Sequence, residues 1–154
     1  MLPFILAGLA LAGLAALLRE RKPKTVFISY DYDHDRRYKN MLVAWAKNEK
    51  FPIRFDDRSA DVAIDSTDEA VQRRAISAKI HRSDMLVLLV GREAHKSRWI
   101  RWETAKAVHL GKPIVAVKLK KKYRAPAGLR GRGVVWATSF KVAQVKAALE
   151  RSSG

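Results

Sequence analysis

Ser97, Trp99 and Glu103 stand in the run Ser-Arg-Trp-Ile-Arg-Trp-Glu. Trp99 and Glu103 are four residues apart, so on a helix they share one face and set an aromatic surface beside a carboxylate. Ser97 supplies an N-cap for that helix, and Gly111 followed by Pro113 supplies its stop. Taken alone, Glu103 between Arg101 and Lys106 also reads as a solvated surface acid, and Trp99 or Trp102 as a packing residue. Asp31, Asp33, Asp35, Asp56 and Asp57 cluster near two expected strand ends. They could bind a divalent ion, but acidic turns and helix starts are the commoner use, and no metal is expected. His34, His81, His95 and His109 show no ligand spacing. The chain has no cysteine, which excludes disulfides, Cys-based zinc sites, iron–sulfur ligation and a thiol nucleophile.

The elements that must position these residues belong to one domain of ordinary size. The chain has 154 residues, 48% hydrophobic and 30% charged, with 31 basic against 15 acidic side chains for a net charge of +16. That apolar content excludes global disorder. Residues 1–18 carry no charge and span about 27 Å as a helix, adequate for a marginal membrane crossing. They lack the basic start and small-x-small end of a cleaved signal peptide, so an uncleaved transmembrane anchor is expected, with burial in a partner or an oligomer as the alternative. Arg19, Arg21, Lys22 and Lys24 follow in a basic juxtamembrane linker, 19–24. The positive-inside rule then places the chain in the inner membrane as a single-pass protein with residues 25–154 facing the cytoplasm.

From Thr25 onward short apolar runs alternate with helical patterns. Val26-Phe27-Ile28 reads as a strand, and Tyr38, Met41, Leu42 and Trp45 as one stripe of the helix after it. Ile53 and Phe55 mark a second strand, and residues 57–66 a polar loop. Val71, Ala75, Ile76 and Ile80 mark the next helix, and Met85 to Val90 a parallel strand buried on both faces in the middle of the sheet. Ile114 to Val117 and Val134 to Trp136 complete five strands, with Val142, Val145 and Leu149 on a closing helix. The expected fold is therefore α/β, a flavodoxin-like five-stranded parallel sheet with helices on both faces, preceded by the transmembrane helix. Ligands of such sheets bind at the carboxyl ends of the strands, here Ser29 to Asp35, Asp56 to Ser59 and Gly91 to Trp99.

Two uses of this architecture fail on residues. The turn SYDYDHDRR after the first strand has no glycine and three acids, so it repels the phosphate of a flavin or dinucleotide. The third strand ends Val90-Gly91-Arg92 without the acceptor Asp of a receiver domain. A third use fits. Phe27-Ile28-Ser29-Tyr30, Ile80 with Ser83 before the apolar run, and the S-x-W-x-x-x-E pattern at Ser97, Trp99 and Glu103 together resemble the TIR domain superfamily. The form VFISYDYD…SRWIRWETAKAVHLGKPIVAV is similar to its TIR-like branch, typified by the ThsB proteins of bacterial Thoeris antiphage systems. The resemblance covers about residues 25–117; Asp57-Arg58-Ser59-Ala60-Asp61 stands where the usual BB-loop pattern has a glycine.

The resemblance implies cleavage of NAD+ at the nicotinamide–ribose bond, by hydrolysis or by cyclisation to an ADP-ribose signal, in antiphage defence. NAD+ is then the substrate and no cofactor is needed. It implies Glu103 as the catalytic carboxylate, with Phe27, Ser29, Tyr30, Ser83, Ser97 and Trp99 as substrate-binding candidates. A carboxylate near the ribose can stabilise the oxocarbenium-like state, and one suffices because nicotinamide leaves as a neutral molecule. Phe27, in mid-strand, also reads as core. The rival from another class is a non-catalytic TIR-like module that oligomerises at the membrane and recruits a defence-system partner; a third is a membrane-disrupting effector. Homo-oligomers are expected, since TIR enzymes often complete a site from two protomers. The run 118–132 holds seven cations and no acid. It reads as a solvated loop or an adjunct to the anionic membrane surface, and nucleic acid is disfavoured for want of stacking aromatics.

Overall fold

The computed structural model describes residues 23–55 and 68–152. The chain runs β1 (Lys24–Ser29), α1 (Tyr32–Ala46), β2 (Ile53–Arg54), α2 (Glu69–Arg82), β3 (Met85–Val90), a 3-10 turn (Ala94–Lys96), α3 (Arg98–His109), β4 (Ile114–Lys118), β5 (Val135–Ala137) and α4 (Val142–Ser152). The strands are parallel and ordered β2-β1-β3-β4-β5, the flavodoxin-like arrangement the sequence predicts.

β3 is central because every one of its side chains is apolar and buried. Val87 sits between Ile28 of β1 and Val115 of β4. Strand alternation divides the interior into two cores. Met85, Val87 and Leu89 meet Leu42 and Ala46 of α1 and Val145 and Leu149 of α4 on one face. Leu86, Leu88 and Val90 meet Ile76 and Ile80 of α2 and Ile100 and Ala107 of α3 on the other. α3 stops where the sequence predicts: Gly111 takes φ +69°, and the Lys112 N–H reaches the Ala107 carbonyl at 2.9 Å, closing a Schellman turn.

Some boundaries differ from expectation. β1 begins at Lys24, inside the segment read as linker, because Lys24 pairs with Ile53 and its N–H donates to the Pro52 carbonyl. β2 is two residues long, and Phe55 packs partly buried against the first core beyond it. The turn Ala94–Lys96 carries no periodic signal. The expected anchor 1–18, Arg19, Arg21, Lys22, and the loop bearing Asp56 and Asp57 lie outside the described residues. Among the described residues no helix is long and apolar enough to cross a membrane.

Candidate active site

β1 delivers Ser29 to the carboxyl edge of the sheet on the same strand face as Phe27, which packs into the second core. α3 turns Ile100, Glu103, Thr104 and Ala107 inward, spaced three, four and seven residues from the first, as one helical stripe. Glu103 therefore faces the sheet and is only 7% exposed, which overturns its reading as a solvated acid. Burial strips the carboxyl of water and pushes its pKa up to about 8, and the neighbouring Ser29 hydroxyl pulls in the opposite direction. Ser29 Oγ is itself fully buried and completes no well-aligned hydrogen bond among the described residues. Buried polar groups are normally paired, so this buried hydroxyl beside a buried carboxyl makes the end of β1 the candidate site.

The other predicted residues divide by position. Ser97 caps α3, its Oγ accepting from the Ile100 N–H at 3.2 Å. Ser97→Ala is expected to cost about 1 kcal/mol in a chemical-denaturation experiment, through loss of this cap. Trp99 lies one turn before Glu103, partly buried on the second core and edge-on to Trp102 at 5.9 Å between ring centroids. Tyr30 packs against the first core, 6.3 Å from the Tyr32 ring, which puts it on the other side of the sheet from Glu103. Ser83 does not join the site. It ends α2, where its hydroxyl donates to the Lys79 carbonyl at 2.7 Å, and it precedes β3 at the amino end of the sheet. A residue just before a parallel strand lies a full strand length from the crevice beyond that strand.

Asp35 is the acid whose importance the sequence conceals. It lies in the first turn of α1 on the same buried stripe as Leu42 and Ala46, 5% exposed. Its Oδ2 is buried without a hydrogen-bond partner among the described residues. Burial raises its pKa, the neighbouring Asp31 charge adds to the rise and His34 opposes it. The carboxyl rests on Gly91, the first residue after β3: a Cβ there would lie 2.0 Å from Oδ2. Asp31 is the N-cap of α1, accepting from the Asp33 N–H at 3.1 Å and meeting His34 Nδ1 at 2.8 Å. These are helix-start roles, and among the described residues no group of three or more His, Asp or Glu could hold a metal ion.

A β2-β1-β3-β4-β5 parallel sheet, with the helix after the central strand setting a carboxyl beside Ser29 at the end of β1, is a doubly wound α/β domain with its candidate site at the carboxyl edge. The model of the Thoeris protein ThsB TIR-like domain matches residues 27–124. The chain belongs to that family. Among solved structures it is similar to the CMP N-glycosidase BcmB of Clostridium botulinum, with TM-score 0.60 and 15% identity over 83% of this chain and 98% of that one. It is also similar to the TIR domains of the activated Roq1 resistosome that recognises the pathogen effector XopQ, with TM-score 0.47 and 15% identity over 84% and 83% of the two chains. At 15% identity the likeness to the glycosidase is one of fold. No curated protein matches the chain at a significant level.

Proposed function

We propose that this protein is a nucleotide N-glycosidase that cleaves NAD+ at the nicotinamide–ribose bond, with Glu103 as the essential carboxylate. The observation that carries the reading is the burial of Glu103 beside the buried Ser29 hydroxyl at the carboxyl edge of the sheet. The similar fold of an enzyme named for cleaving the base from CMP supports the reaction class. In the step itself the C–N bond breaks, and its electron pair goes to the pyridinium nitrogen, so nicotinamide departs neutral. Water, or a hydroxyl of the same molecule, attacks the resulting oxocarbenium carbon and gives up its proton, yielding linear or cyclic ADP-ribose. Glu103 as carboxylate stabilises the developing cation and orients the ribose hydroxyls.

The raised pKa makes the substrate class readable from pH dependence. With NAD+, the ionised form of Glu103 is required, so kcat/KM rises about tenfold per pH unit and levels near 8, the value for the free enzyme. The cation over the carboxylate lowers that pKa in the complex, so the limb in kcat falls at lower pH than the limb in kcat/KM. With an uncharged base such as that of CMP, the departing base needs a proton, taken on its ring N3 or its carbonyl oxygen. Protonated Glu103 then serves as the acid, and kcat/KM declines above 8. Nicotinamide release from NAD+ and cytosine release from CMP, followed by chromatography from about pH 6 to about pH 9, test the assignment. Release of neither base from concentrated protein on anionic liposomes overturns it in favour of a non-catalytic oligomerising module.

The same reading sets the activity at the inner membrane. The apolar segment 1–18 and the cluster Arg19, Arg21, Lys22 and Lys24 support a single-pass anchor with the domain in the cytoplasm. Membership of the Thoeris ThsB family supports a role in antiphage defence by assembled copies of the chain.

A further inference from the structure

β5 lies three places from β1 in the sheet, about 14 Å at the usual strand spacing, and it forms one wall of a second concave site. The crossovers from β1 to β2, β2 to β3 and β3 to β4 each carry a helix, whereas residues 119–134 between β4 and β5 carry none. Leu129 is pinned in the second core, and Tyr123 rests against both cores. Between these anchors and β5 the loop arches over a recess of about 610 Å³, bounded by Pro126, Gly128, Arg130, Gly133, Val134 and Trp136. The recess is half open to solvent and of a size that a small organic ligand could enter.

The lining has a definite chemistry. Trp136, partly buried and packed against the second core, lines the recess from β5. Lys118 Nζ lies 5.8 Å from the centre of that ring, within cation–π range, and Arg130 stands on the loop wall. Gly128 and Gly133 take φ of +90° and +69°, and no atom lies within 4 Å of where a Cβ would be, so their peptide groups border open space. Residues 118–132 bring seven cations and no acid. An aromatic residue and one cation in the lining, Arg130, with a second cation, Lys118, over the Trp136 ring beside the recess and reaching the Lys121 carbonyl at 3.4 Å, fit a planar base joined to a phosphate. A lipid surface requires no recess with an indole in it, and a nucleic-acid strand requires a row of stacking rings that the loop lacks.

We propose that this recess is a nucleotide-binding site separate from Glu103, with the base on Trp136 and the phosphate ester taken by Arg130. The test is an amide NMR titration of the full chain in nonionic detergent, as the Glu103→Gln variant so that no nucleotide is consumed, with AMP as the probe. AMP is expected to shift the Gly128 and Gly133 amides and the Trp136 indole N–H to saturation. Adenosine and inorganic phosphate should each bind at least about tenfold more weakly, because each presents half of the recognised chemistry. Arg130→Ala and Trp136→Leu should weaken AMP about tenfold or more, and Lys121→Ala, off the recess, should leave it unchanged. Unmoved signals at these three groups would overturn the site. So would phosphate alone matching AMP, equal losses in Arg130→Ala and Lys121→Ala, or shifts produced by phosphatidylserine vesicles with which AMP does not compete. Because the readout is binding at Trp136, it stands or falls independently of cleavage at Glu103.

Discussion

Glu103→Gln is expected to lower base release by a factor on the order of 10³ or more while making the fold more stable in alkaline solution. Gln keeps the volume and hydrogen-bonding reach of the side chain and removes only the charge that an oxocarbenium-like centre requires. The stability effect follows from proton linkage. Unfolded Glu103 loses its proton near its ordinary 4.5, whereas the buried group keeps it up to about 8. Between those values the folded state binds the extra proton, so stability falls with rising pH, by about 1.4 kcal/mol per unit, and above 8 the loss is complete. The loss amounts to several kcal/mol, as an order of magnitude. Urea denaturation at two pH values inside that window checks this: the slope should be present in the native chain and missing in Glu103→Gln. Identical slopes in the two proteins would show that Glu103 is not the group responsible.

Gly91→Ala is expected to destabilise the domain by about 3 kcal/mol, a fall in melting temperature of roughly 10 °C. The new Cβ would lie 2.0 Å from Asp35 Oδ2 and 2.5 Å from its Cγ, where real contacts essentially never fall below 3.0 Å. Asp35 cannot easily withdraw, because α1 is held through Leu42 and Ala46 in the first core. The carboxyl must leave its notch or the exit of β3 must shift, and either movement disturbs the segment leading to Ser97 and α3. Removing the obstruction should remove most of the cost. In an Asp35→Ala background, Gly91→Ala is expected to be nearly neutral, so the two changes are strongly non-additive. Equal costs in both backgrounds would show that the contact does not carry the effect.

These residues also show what was legible in the sequence. The unbroken run Met85 to Val90 can only be a strand covered on both sides, and it fixes the centre of the sheet. The capping serine and the stop glycine of α3 were legible, but flanking Arg101 and Lys106 made Glu103 read as a solvated acid, and only the packing of Ile100 and Ala107 against the sheet turns its carboxyl inward. Asp35 was harder. It occupies an apolar position of α1, and the glycine that makes room for it lies 56 positions further along the chain, a pairing no local pattern reveals. Ser83 misled for the opposite reason: it adjoins the central strand in sequence, but at the end away from the crevice. The recess beside β5 had no signature beyond a glycine-rich basic run, because its shape depends on Leu129 reaching the core.

The two outermost strands are the shortest, with two residues in β2 and three in β5. Each free margin of the sheet thus offers a second chain only a few backbone donors and acceptors. At the β2 margin the Arg54 guanidinium is folded back onto the Ala46 carbonyl at 3.0 Å. Under the proposed function, assembled copies would therefore have little to gain by joining sheet to sheet, and an array would be stitched through helix faces and loops. Such an array would then be switched by altering side chains, without breaking a ladder of main-chain bonds.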